Sequence, residues 1–463
     1  MFDDYRTYEA RRGREAPDWA ETVSHLRASE KPTVAGLLAK ADAEGRMLVQ
    51  PRCGVGGQEA MGALLQGLEA GGAPDVLSLT IDAHTRLLRL EVAERTLAAN
   101  PGNLNGYPLI AHGWRRGREL DALVRAPIEV RHGSPDARLL FAATVASGIT
   151  SFEGGGLTYN IPYCKDVPLA ESLAAWRDVD QLSGDLAAEG VIVDRELFGT
   201  LTAVLMPPCV GISIALIEAI LAAQAGVRCL SMAYCQTGHF AQDIAALRAL
   251  RSLAARYLPE SVAAYPVFHQ FMGAFPGDRS HADALIAYGA ITARLGGATK
   301  IINKTHQEAF GVPTVEANVA GIGLTRMATS WILDLVPVDL AAVAEEQHWI
   351  EREVAEIVEP LLAAPDLAAA VVAAFAAGRL DVPFSASVHA RADVLPVRDA
   401  TGAIRVRRWG EIPVSEAVQS RHARLCDAPG TPELGGLFEK IRSDILFFCR
   451  DTAPLRAQHQ AAA

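Results

Sequence analysis

The chain has 463 residues, with 43 Lys+Arg against 54 Asp+Glu and a formal net charge of −11. Hydrophobic residues make up 50% and charged residues 21%, enough apolar material for a sizeable core, which excludes wholesale disorder. The acidic balance argues against a protein that coats nucleic acid, yet leaves room for a few converging cations around a small acid.

The first residues, MFDDYRTYEARRGREAPDW, are charged throughout and lack the apolar core of a signal peptide, so a cytoplasmic protein is expected. Residues 1–45 read as a helical N-terminal extension with an apolar patch from Val34 to Leu38. From about residue 46, short apolar runs alternate with Ala/Leu-rich helical stretches. The runs are Met47–Gln50, Val76–Ile81, Pro108–Ala111, Ile128–Val130, Ile149–Phe152, Leu201–Met206, Cys229–Tyr234, Ala263–Phe268 and Lys300–Ile302. Near-continuous apolar runs separated by helices predict a parallel sheet buried on both faces, and the spacing predicts an α/β fold, a TIM (β/α)8 barrel over residues 46–335. Nine runs compete for eight places, and Pro108–Ala111 fits least well. The longest apolar stretch, Leu201–Val227, is broken by Pro207-Pro208 and contains Glu218. It reads as a strand, a loop and a core helix, with no membrane span.

After about residue 335 the alternation stops. Val343, Ile350, Val354, Ile357 and Leu361 form one apolar stripe of an amphipathic helix. An Ala-rich helix follows, through Leu380. A hairpin is then expected, turning at Asp399–Gly402 between Val394–Val397 and Ile404–Val406. Residues 336–463 thus read as a C-terminal α+β region. The seven cysteines are scattered without a CxxC, which suits reduced thiols better than a disulfide framework or a zinc ribbon. Cys53 reads as a packed thiol. The histidines are scattered too, and no metal cluster is expected.

The charges near the runs are informative. Arg52, Arg86, Arg131, Glu153, His269 and Lys304 each stand at or just beyond the C-terminal end of an apolar run. In a parallel barrel those ends share one face, where such barrels build their sites. A lone strand-end arginine is usually a solvated loop residue, but several aligned ones are harder to dismiss. Arg presents a rigid fork of donors that matches a carboxylate, and Glu153 suits an ammonium group. The pattern points to a small acidic amino acid or a dicarboxylic acid. Gly154-Gly155-Gly156, just after Glu153, reads either as close backbone approach to a ligand or as a turn. Asp82-Ala83-His84 starts like the DxHxxG signature of cobalamin-binding domains, but Leu87 stands at the glycine position.

The segments VQPRCGV, LTIDAHTR, VRHGSPDARLL, FEGGGLTYNIPYCK, VFHQFMGAFP, KTHQEAFGVPT and GEIPV, in that order from about Leu48 to Pro413, resemble the large (epsilon) subunit of glutamate mutase, also called methylaspartate mutase. The resemblance implies a TIM barrel whose open end faces adenosylcobalamin. It implies substrate binding by Arg52, Arg86, Arg131, Glu153 and Tyr163, and contact with the adenosyl ribose by Lys304 and Glu308. Glu153, Lys304 and Glu308 would be the catalytic residues; His269, picked out by its strand-end place alone, is assigned to the cofactor-binding face. The chain departs from the family pattern at Cys53, His84, Phe152, Phe271 and Ala274, which could reshape the pocket wall.

The implied reaction is a radical carbon-skeleton rearrangement between L-glutamate and L-threo-3-methylaspartate. Because DxHxxG is missing, the resemblance implies a separate small cobalamin-binding (sigma) subunit and a heterotetramer built on a dimer of large subunits. Two alternatives are the same chemistry on another small acidic amino acid, and a non-catalytic binding or scaffold relic. Retention of all seven site residue types argues against the relic.

Overall fold

The computed structural model describes residues 1–199, 204–428 and 436–450. Eight parallel strands form the centre: β1 (Leu48–Pro51), β2 (Leu77–Thr80), β3 (Ile128–Arg131), β4 (Ser151–Glu153), β5 (Asp194–Leu197), β6 (Cys229–Cys235), β7 (Ala263–His269) and β8 (Lys300–Asn303). Their order is β1-β8-β7-β6-β5-β4-β3-β2. The ring nearly closes between β1 and β2, where the Thr80 N–H donates to the Cys53 carbonyl at 2.9 Å. Helices fill the crossovers, as the parallel pairing requires. The helix Pro208–Gln224 is buried almost all round, which explains its apolar sequence. No single helix among the described residues is long and apolar enough to cross a membrane.

Two expectations need correction. Pro108–Ala111 is no strand, since Leu109–His112 forms a short helix and Pro108 sits just ahead of it. Nor does Leu201–Met206 supply the fifth strand: residues 201–203 lie outside the described residues, and 204–206 are not extended into the sheet. The fifth strand is instead the charged segment Asp194–Leu197. The cause is a polar barrel interior. Asp194 and Glu196, two residues apart, share a face, and both are fully buried with Glu129 and Lys300. Arg195 takes the other face. It donates to Asp180 at 2.8 Å and to the Gly154 carbonyl at 2.9 Å, and it stacks 4.8 Å over Trp176 of helix Leu169–Ala188.

The N-terminal residues form helices Phe2–Ala10, Trp19–Ala28 and Val34–Ala43. At the other end, helix Leu340–Leu362 buries the expected stripe of Val343, Ile350, Val354, Ile357 and Leu361. It packs on the helices that follow β5 and β6. Its start and that of helix Leu367–Ala377 are fixed by Asp339 and Asp366, each accepting the N–H three residues on. The expected hairpin forms as β9 (Leu395–Arg398) and β10 (Ile404–Arg408), antiparallel. The link before it reaches the barrel mouth. Ser385 Oγ donates to the Ile161 carbonyl at 2.7 Å, and the Val388 N–H donates to the Lys165 carbonyl at 2.8 Å.

Candidate active site

The strand register delivers the charged side chains to the carboxyl end of the barrel. Arg131, Glu153 and His269 are the last residues of β3, β4 and β7. Arg52 follows β1 and Lys304 follows β8 directly. Arg86 ends the short helix Ala83–Arg86, whose start is held by Asp82 accepting from the His84 and Thr85 N–H groups. Glu308 lies four residues beyond Lys304, and Tyr163 lies in the loop after β4. Arg131 and Lys304 are each 3% exposed and Glu153 is 2% exposed, whereas Arg52 and Arg86 are only half-buried.

Arg131 is the hub. Its Nη1 donates to Oε1 of Glu129 at 2.6 Å and to Oε1 of Glu196 at 3.0 Å, and its Nη2 donates to Oε1 of Glu153. The other oxygen of Glu153 accepts from the Tyr159 hydroxyl. Tyr163 sits inside the concave mouth, edge-on to Tyr159 at 5.7 Å, with 46% of its surface still accessible. Burial and then Glu153 push its phenol up, while Arg52, Arg86 and Arg131 oppose them, so the fields of all three arginines meet at this ring. A side chain at Gly133 would lie 3.8 Å from both Arg86 and Tyr163, which puts those two side by side.

Burial sets the protonation of the site. It pushes the Glu153 carboxyl up to about 8; Arg131 opposes it, and Glu196 and Glu129 add to it. It pulls the Lys304 ammonium down to about 8, helped by Arg52 and opposed by Glu308, whose Oε2 is 2.5 Å from Nζ. Burial also lowers His269 to about 4 against the pull of Glu196, so its imidazole is neutral. Its Nε2 lies 3.0 Å from Glu196 Oε1, and its buried Nδ1 has no hydrogen-bond partner among the described residues.

Two close neighbours of the site escape sequence reasoning. Tyr159 is fully buried against Glu153, six residues after it. His132 follows Arg131 and stacks on Trp176 with ring centroids 5.6 Å apart. Burial holds it well below the usual histidine range, with Arg195 and Arg86 adding to the effect. The Ser134 N–H donates to its Nδ1 at 3.1 Å, so the proton of the neutral ring sits on Nε2, which is buried and unpartnered among the described residues. A neutral donor therefore stands beside the arginines. The useful signal was adjacency, since both residues lie within the RHGSPDAR and EGGGLTYNIPY segments.

The glycine triplet is explained by packing within the protein. Gly154 has φ +118°, and a Cβ there would come within 2.3 Å of the Tyr159 ring and 2.6 Å of Trp176. A Cβ on Gly155 would meet the Glu218 carboxylate at 2.2 Å. Glu218 in turn accepts from the Leu157 and Thr158 N–H groups and from the Thr158 hydroxyl, which ties the loop to helix Pro208–Gln224. Cys53 is a packed thiol: burial pushes it up to about 12, and Sγ donates to the Ser78 carbonyl at 3.0 Å.

The fold also gathers donors that their spacing in sequence hides. Ligand atoms of Glu153, Glu196 and His269 lie within 4.8 Å of one another. Arg131 bonds both carboxylates, so its guanidinium supplies the positive charge of that cluster. Lys304 with Glu308 offers a donor and an acceptor side by side at the end of β8, a set that suits the paired hydroxyls of a sugar.

The family model described as Methylaspartate mutase E chain (MutE) matches residues 29–433. The glutamate mutase epsilon subunit of Haloarcula marismortui is 41% identical over 441 residues, covering 94% of this chain and 90% of that protein. That of Desulfitobacterium hafniense is 41% identical over 427 residues, covering 90% and 88%. That of Escherichia coli O157:H7 is 41% identical over 395 residues, covering 83% and 82%. With a near-closed parallel barrel, a charged mouth and agreement over most of its length, the chain belongs to the methylaspartate mutase E chain family.

Proposed function

We propose that this chain is the catalytic large subunit of a glutamate mutase, an isomerase that interconverts L-glutamate and L-threo-3-methylaspartate. The observation that carries the reading is the buried Arg131–Glu153–Tyr159 constellation, with Arg52 and Arg86 converging on Tyr163 beside it. Arg52, Arg86 and Arg131 hold the two substrate carboxylates. Nε2–H of His132 adds a neutral donor there without adding charge. Glu153 receives the substrate ammonium, which gives its buried carboxylate the cation that favours ionisation. Holding both carboxylates keeps the two halves of the substrate at a fixed separation while the carbon skeleton rearranges. Burial of Arg131 and Glu153 keeps water from the reacting carbons.

The cofactor is adenosylcobalamin, which supplies the hydrogen-abstracting radical when bound. Lys304 and Glu308 suit it by chemistry: an ammonium and a carboxylate 2.5 Å apart can donate to and accept from the ribose hydroxyls. Nδ1 of His269, buried without a partner among the described residues, is a further polar atom on this face. The corrin is gripped by a separate small cobalamin-binding (sigma) subunit, in a cytoplasmic heterotetramer built on two large subunits. The test is reconstitution. The purified chain with L-glutamate and adenosylcobalamin alone should form no 3-methylaspartate, and adding a small subunit should start turnover. Full activity without that subunit would overturn the partner assignment. No turnover of glutamate in the reconstituted complex, with turnover of another acidic amino acid, would overturn the substrate.

A further inference from the structure

Below the mouth, the barrel interior carries charge where such barrels usually stack branched apolar side chains. Glu129, Asp194, Glu196 and Lys300 are all fully buried. Nζ of Lys300 lies 2.6 Å from Oε2 of Glu129 and 2.6 Å from Oε2 of Glu196. The opposite oxygens of the same carboxylates, both Oε1, take Nη1 of Arg131 at 2.6 and 3.0 Å. Ammonium, carboxylate, guanidinium and carboxylate thus close a ring. Gln50 braces it by donating to Glu129 Oε1 at 2.7 Å, and His269 Nε2 braces Glu196 Oε1 at 3.0 Å. Asp194, 3.9 Å from Nζ, adds a third negative charge around Lys300.

The planar guanidinium makes this ring consequential. Nη1 has two N–H groups, and the two carboxylates take both. Nη2 gives one to Glu153, and Nε donates to no described residue. The N–H groups left for an incoming carboxylate are therefore Nε–H and the second N–H of Nη2. Lys300 is what allows two carboxylates to share one nitrogen. Without its charge between them they would repel, and one would take a proton and become a donor.

We propose that Lys300 is a positioning residue for substrate binding: acting through Glu129 and Glu196, it pins Nη1 of Arg131 to the barrel floor and leaves Nε–H and the second Nη2 N–H for the substrate carboxylate. This rests on the assignment of Arg131 to the substrate. Lys300 does not itself touch the substrate, because the Glu129–Glu196 pair and Arg131 stand between it and the mouth.

The test uses the full chain reconstituted with its cobalamin-binding partner. Lys300→Met, Glu129→Gln and Arg131→Lys are compared, and Lys300→Met is also made in the Arg131→Lys background. KM and kcat for L-glutamate, calorimetric binding of L-glutamate and melting curves are measured. Lys300→Met and Glu129→Gln should each raise KM and the glutamate Kd about tenfold or more, with a smaller change in kcat. In the Arg131→Lys background, Lys300→Met should add nothing further, because it acts through the residue already changed. Folded Lys300→Met protein with unchanged KM and Kd would overturn the proposal, as would effects that multiply independently. Should Lys300→Met fail to fold, Glu129→Gln decides by the same measurements, since it keeps the side-chain volume and leaves Lys300 paired with Glu196. If Arg131→Lys itself leaves KM and Kd unchanged, the assignment of Arg131 fails. A loss in Arg131→Lys with none in Lys300→Met sinks the positioning role alone.

Discussion

Glu153→Gln separates what this residue does for the substrate from what it does for the fold. The carboxyl is 2% exposed and is bonded by Arg131 and Tyr159. Glutamine keeps the shape: its carbonyl oxygen can accept from Arg131 while its amide N–H donates to the Tyr159 oxygen, but it offers no charge to an ammonium group. Losing a charge-assisted contact in a buried site costs about 1.5–3 kcal/mol, so kcat/KM for L-glutamate should fall roughly tenfold to a hundredfold. Folding should suffer little, because Arg131 keeps Glu129 and Glu196 as partners. Burial raises Glu153 to about 8, above an ordinary glutamate. Its contribution to stability is therefore present at low pH and lost as pH rises through about 8. Gln cannot titrate, so the melting temperature of the variant should not show that loss, and near pH 8 and above it should match or exceed that of the parent. The assay is kcat/KM of the reconstituted enzyme against pH, alongside melting temperature against pH for the chain. The parent should show a rising limb near pH 8 that the variant lacks. A variant within about threefold of the parent in kcat/KM, with the rising limb intact, would refute the assignment of Glu153 to the ammonium group.

Three further outcomes are expected. Arg131→Lys replaces a three-partner fork by a point charge and should lower kcat/KM by roughly two to three orders of magnitude, measured under the same conditions. Lys304, pulled down to about 8, should produce a falling limb of kcat/KM near that pH; Lys304→Met should abolish the limb and raise the adenosylcobalamin concentration needed for half-maximal activity. Gly154→Ala places a methyl 2.3 Å from the Tyr159 ring at a φ of +118°; it should cost about 1–3 kcal/mol in a melting experiment and raise KM by displacing Tyr159 from Glu153.

The architecture was legible because most strands are apolar and the helices between them are long. The fifth strand was not. Asp194–Leu197 reads as surface by composition, since sequence patterning assumes an apolar interior and this barrel has a charged one. The same assumption drew Leu201–Met206 into the strand count. The strand-end residues Arg52, Arg86, Arg131, Glu153, His269 and Lys304 could be picked out because a parallel sheet sends all such ends to one face. Glu129 and Lys300 could not, although each lies inside a run chosen for its apolar character. Their partners come from strands far apart in sequence, and only the closed register brings Glu129, Glu196 and Lys300 together. Tyr163 and Glu308 rested on resemblance alone, because each sits in a loop whose path short-range patterning does not reveal.

In many barrels the two ends are separable: loops at one end set the chemistry, and an oily interior keeps the strands together whatever those loops become. Here the interior charges continue into the mouth through Arg131. New specificity can seldom be grafted by exchanging loops alone, because the orientation of the Arg131 guanidinium is held by carboxylates of the interior rather than by the loops. The route to a new substrate then runs through coordinated changes on β3, β5 and β8, which lie far apart in the chain. Such a barrel is conservative by construction.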